Sequence, residues 1–177
     1  MANSITSVTT GSGGLVSTAS GTDGTLNIIS NATVVATFGT AGIEGYTQFT
    51  NSTEKVTVAA TAATGTINYD TGTQSVVYYT SNAAGDWTIN FRDSSGATLN
   101  SVLTTGEAIT VVHLVTIGGS EYRNTTVQVD GSGITPEWQG GSAPTEGNAN
   151  SVDSYTYTII KTGDAAFTIL AALTQFA

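Results

Sequence analysis

From Gly65 to the end of the chain one pattern recurs: a short run rich in β-branched and aromatic residues, then a turn built from Gly, Asn or Asp. The runs are Thr66–Tyr69, Gln74–Ser81, Asp86–Arg92, Ala108–Ile117, Glu121–Asp130, Tyr155–Lys161 and Ala165–Ala171. Between them stand Asp70-Thr71-Gly72, Asn82–Gly85, Asp93–Gly96, Asp130–Gly133 and Lys161–Asp164, residues that supply φ > 0 or a local side-chain bond to the backbone. Punctuation this frequent leaves no room for long helices. It predicts an all-β chain, an antiparallel β-sandwich of about seven or eight short strands. One helical stretch, of a turn or two, is expected within Ala97–Thr104.

Alternation within the runs predicts two sheets around one core. Trp87, Ile89 and Phe91 fall on one side of their strand, with Thr88, Asn90 and Arg92 on the other. Tyr155, Tyr157 and Ile159 oppose Thr156, Thr158 and Ile160 in the same way. Ala108–Ile117 is apolar on both sides for part of its length, as a central strand would be. Each aromatic buried in this core contributes roughly 2–3 kcal/mol.

The first third reads differently. Met1–Gly14 is an arm rich in Ser, Thr and Gly, ordered only by docking on something. Thr25–Ser30 and Thr33–Phe38 flank Asn31-Ala32 as a β-hairpin, and strands are expected at Gly45–Thr50 and Lys55–Ala60. The small-residue stretch Ala59–Thr64 is either a joint or the continuation of a strand. The division expected is residues 1–64, an N-terminal arm and hairpin segment for attachment or oligomerisation, and residues 65–177, the sandwich.

Charged residues make up only 10% of the chain, against about 25% in an ordinary domain. Thirteen acids face four bases, Lys55, Arg92, Arg123 and Lys161, for a net charge of −9. So few scattered cations cannot neutralise a run of phosphates, which argues against nucleic acid as a partner, and the sign argues against an anionic membrane. The longest apolar run, Ala108–Ile117, is about half the length of a membrane helix, and the start lacks the basic and apolar regions of a signal peptide. The expectation is a soluble chain made in a cytoplasm. With no cysteine there is neither a disulfide framework nor a thiolate metal site.

Candidate chemistry is sparse. His113 is the only histidine and sits among Val111, Val112, Leu114 and Val115, which reads as a residue at the edge of the core. Asp93–Gly96 and Asp130–Gly133 bring oxygens into short loops but lack the distal Glu of a calcium loop, so they read as turns. No nucleophile elbow, phosphate loop or zinc-protease motif is present, and no spacing singles out a pair of carboxylates. The chain is read as no enzyme, with no catalytic residue, metal or cofactor assigned. Trp138, Tyr155 and Tyr157 could form an aromatic platform for a sugar ring. Otherwise Trp138 plugs one end of the sandwich, with Gly140-Gly141 turning the chain and Pro144 stiffening its return.

Two stretches carry a resemblance. Trp138–Pro144 followed by Asp153–Lys161 gives one tryptophan, a Gly-Gly turn, a proline, a polar loop and an Asp opening an alternating aromatic strand. Further back stand Gly65–Asp70 and Tyr78–Asn90. Together they cover about two thirds of the chain. They resemble the closing module of virion structural proteins of tailed bacteriophages, such as tail-fibre-like and other structural proteins of marine phages and cyanophages. The resemblance implies a non-enzymatic protein of the virion surface, assembled in the host cytoplasm and seated on the major capsid protein or on tail or fibre components. It also implies a homo-oligomer. Because a tail fibre needs a long shaft and a head domain, a capsid decoration or surface-projecting protein is expected. The alternative is a receptor-binding adhesin that takes a host surface glycan.

Overall fold

The computed structural model describes residues 26–30, 33–39, 42–44 and 53–176, which belong to two compact units, Met1–Ser52 and Thr53–Ala177. In the first, β1 (Leu26–Ser30) and β2 (Thr33–Gly39) form an antiparallel hairpin with Ser30 opposite Thr33 and Leu26 opposite Phe38. β3 (Gly42–Glu44) adds antiparallel to β2. This is the hairpin read around Asn31-Ala32. The arm expected at Met1–Gly14 and the strand expected at Gly45–Thr50 lie outside the described residues.

The second unit is mostly β. Its strands are β4 (Val56–Ala62), β5 (Gly65–Asp70), β6 (Val76–Ser81), β7 (Trp87–Arg92), β8 (Ala108–Ile117), β9 (Asn124–Val129), β10 (Ser132–Ile134), β11 (Glu137–Trp138), β12 (Ser151–Gly163) and β13 (Ala166–Phe176). One short helix, α1 (Leu99–Val102), falls inside the expected helical stretch. A four-stranded sheet has the order β10-β9-β7-β5, and a six-stranded sheet the order β11-β13-β12-β8-β6-β4. β8 is central, as its apolarity predicted.

Two expectations need correction. The sheets are mixed rather than antiparallel. From β4 to β9 the chain changes sheet at every strand, so β4, β6 and β8 lie parallel in one sheet and β5, β7 and β9 parallel in the other. Parallel neighbours need a crossover of roughly a dozen residues. Here a whole strand of the opposite sheet serves as the crossover. Only β8–β12, β12–β13, β9–β10 pair antiparallel in this unit. The second correction concerns the boundary at residue 64. Val56–Val58 pair with Val76–Tyr78, so β4 belongs to the main sheet, and Ala63, placed in the joint, is fully buried. The small residues of that stretch continue a strand and then let the chain cross between sheets in two residues.

The inner sides of the two sheets meet through aromatic rings. Trp87 of β7 lies edge-on to Tyr155 of β12 at 5.6 Å between centroids, and Phe91 meets Tyr157 at 5.0 Å. Trp87, Ile89 and Phe91 are at most 1% exposed, which confirms the register read from their alternation. The turn Asp130-Gly131 has positive φ at both residues (51° and 81°), the geometry that favours Asp-Gly in a two-residue hairpin. Its carboxylate accepts the N–H groups of Leu99 and Asn100 at 2.8 and 3.0 Å, and Thr98 Oγ1 accepts that of Ser101, so the first turn of α1 is capped. At the other end of α1, the buried Lys161 donates from Nζ to the carbonyls of Asn100 and Leu103.

Candidate functional site

Alternation along β12 places Tyr155 and Tyr157 on the inner side, and both are fully buried. Their rings are stacked, 6.3 Å apart and inclined by 7°. Asn124, at the start of β9, holds both hydroxyls: Tyr157 donates to Asn124 Oδ1 at 3.2 Å, and the Asn124 N–H donates to Tyr155 Oη at 3.4 Å. Its amide nitrogen donates to the carbonyls of Trp87 and Thr126. Burial raises the pKa of both phenols, so both remain neutral. The three-residue platform is therefore corrected. A ring that a second sheet covers cannot stack on a sugar.

Trp138 alone of the three reaches the surface. It sits on β11, pairs with Ala171 on the edge of the six-stranded sheet, and meets Tyr155 and Tyr157 edge to face at 6.4 and 6.2 Å. One side of the indole covers the core, as a plug would. The other lines a groove of about 560 Å³ with Asn124, Thr125, Thr135, Pro136 and Glu137. Gly140 and Gly141 follow with φ of 80° and 83°, a turn that a side chain would strain. Glu137 is the only carboxylate of the groove, whereas glycoside hydrolysis uses two at about 5–9.5 Å. What the groove offers is one indole face, hydroxyls and a single charge. That set can bind a sugar ring by stacking and hydrogen bonds.

His113 lies deeper than the core edge expected for it. It is fully buried, with Tyr79, Trp87 and Tyr155 around it at 5.4, 5.8 and 6.4 Å, and neither ring nitrogen has a hydrogen-bond partner. Burial lowers its pKa to about 3, so the imidazole is neutral at ordinary pH. Asp153, two positions before Tyr155, is also buried. Its Oδ2 accepts the Asn148 N–H at 3.1 Å while Oδ1 has no partner, and burial raises its pKa. Among the described residues no three of His, Cys, Asp or Glu gather as a metal site.

Sequence reading missed the role of Asn124, and gave Asp153 only as the residue that opens the aromatic strand. Asn124 fell within the strand run Glu121–Asp130 with no role of its own, and the one available signal was that two buried tyrosines need partners for their hydroxyls. No family model, curated protein or solved structure matches the chain.

Proposed function

We propose that the chain is a non-enzymatic structural protein of a tailed-bacteriophage virion. Its two-sheet unit, read as a β-sandwich, decorates the capsid or projects from it. One observation carries the reading: the residues of the phage-like motif occupy scaffold positions. Trp87, Tyr155 and Tyr157 build the core, Trp138 lies over the two tyrosines, and Gly140-Gly141 turns the chain. A motif of this kind specifies a shape to be displayed. The ionisable groups fit the same reading, since Asp130 caps α1, Arg92 pairs with Asp70 at 2.6 Å, and Lys161 closes the far end of α1. Residues 1–52 are assigned the role of anchor on the particle, through the major capsid protein or a tail or fibre component.

Antibody raised against Thr53–Ala177 should label intact particles of the phage that encodes this chain, over the capsid surface. Its absence from purified particles contradicts the proposal. The groove at Trp138 favours a second reading, a glycan-binding adhesin on the tail. That reading predicts label confined to the tail, and glycan-array binding that Trp138→Ala abolishes without loss of fold.

A further inference from the structure

The outward side of the six-stranded sheet differs from the rest of the surface. Strand alternation turns Val58, Tyr78, Leu114, Leu170 and Phe176 away from the core, with threonines between them, and one cross-strand pair, Thr110 and Thr158, shares a hydrogen bond of 3.0 Å. No outward position of β4, β6, β8, β12 or β13 is Asp, Glu, Lys, Arg or His. Val58 is 65% exposed, Phe176 55% and Leu170 48%. Beside the two-residue β11, Glu137, Trp138, Thr156, Thr158, Leu170 and Ala172 line a hollow of about 410 Å³.

The outward side of the four-stranded sheet is the reverse. Asn90 donates to Asn68 at 2.8 Å and accepts the Gly131 N–H, and Arg92 pairs with Asp70 beside them. These polar groups pair with one another.

We propose that two copies of this chain associate through the outward side of the six-stranded sheet. Charge decides the occupant. Each copy carries −9, so acid-bearing surfaces repel their like, whereas the five long strands of this side bring no charges together; its one acid, Glu137, stands on the edge strand β11. A basic partner would be drawn to the acidic surfaces instead. The size suffices: five strands spaced at ~4.8 Å, with ~3.3 Å per residue, present on the order of 700 Å². A stable interface takes about 600–1,000 Å² per partner. The same patch on both copies makes a two-fold, self-complementary contact. The inference does not depend on the chain belonging to a virion.

Light scattering on the full chain across a concentration series tests it. The expected mass at high concentration is twice the 18.0 kDa of one copy. Val58→Glu combined with Leu170→Glu should weaken association by at least ~100-fold with the far-ultraviolet dichroism unchanged, because each contact then buries unpaired charge. Asn68→Glu, on the four-stranded sheet, should leave the mass as it was. A full chain that stays at 18.0 kDa up to ~100 µM overturns the proposal, as does a dimer that survives the double substitution. So does a full-length monomer that dimerises only when residues 1–52 are removed, since the N-terminal unit would then be the occupant.

Discussion

The two sides of the six-stranded sheet are made by the same strands, one residue apart, and they invert the usual distribution of polarity. The side that packs on the core holds His113, Asp153 and Lys161, all buried. The side away from it holds no Asp, Glu, Lys, Arg or His on its five long strands, and its one acid, Glu137, stands on the edge strand β11. A half-covered sheet ordinarily runs apolar inside and polar outside. The buried polar groups are tolerable because each is neutral or tied: the imidazole stays uncharged, Asp153 accepts the Asn148 N–H, and Lys161 donates to two carbonyls. No packing within the unit accounts for the valines and leucines on the other side. Their explanation lies outside the unit, which is why association was assigned to them.

The comparison predicts that substitutions on the inner side act on stability and those on the outer side on association. The largest effect is expected at Trp87. Trp87→Ala should cost about 3–5 kcal/mol in chemical denaturation, because it opens a cavity among Tyr155, His113 and the neighbouring strands. An unchanged midpoint would place Trp87 outside the core.

Next comes acid. The folded chain holds His113 at about 3 while the unfolded chain titrates near 6.5, so the unfolded state takes the proton first. Stability is then complete above pH ~6.5 and falls toward pH ~3, by about 2 kcal/mol between pH 7 and 5. Asp153 works in the opposite direction. Its pKa is raised, so the fold takes that proton first and gains stability as pH falls through the raised value. His113→Leu should flatten the curve between pH 7 and 5, and a curve of unchanged slope would exonerate the histidine. A smaller loss, about 1–2 kcal/mol, is expected for Asp130→Ala, which uncaps α1 and leaves alanine at a φ of 51°. Equal stability there would mean that water replaces the carboxylate. The smallest effect belongs to the outer side: Leu170→Glu should change stability by less than about 0.5 kcal/mol while association is lost. A large destabilisation would show that Leu170 packs within its own copy.

The alternation that buries Trp87, Ile89 and Phe91 was legible in the sequence, as were the central position of β8 and the hairpin of β1 and β2. The parallel pairing was not. A turn signal marks where a strand ends but not which sheet the chain enters next, so Asp70-Thr71-Gly72 reads alike as a hairpin or a crossing. β10 and β11, of three and two residues, are too short to show a period. At the site, Trp138 was legible as a lone tryptophan before a Gly-Gly turn. The burial of Tyr155 and Tyr157 followed from their alternation with Thr156 and Thr158, which outweighs their affinity for sugars. The role of Asn124 depends on Tyr155 and Tyr157, some 30 residues on, and no local pattern carries it.

The central claim is that the outer side of the five long strands is a contact surface, and hydroxyl-radical footprinting of the full chain reads it residue by residue. On raising the concentration through the association range, Tyr78, Leu114, Leu170 and Phe176 should lose reactivity together, while Tyr122 keeps its own. Undiminished labelling of those four side chains in the associated protein would contradict the account.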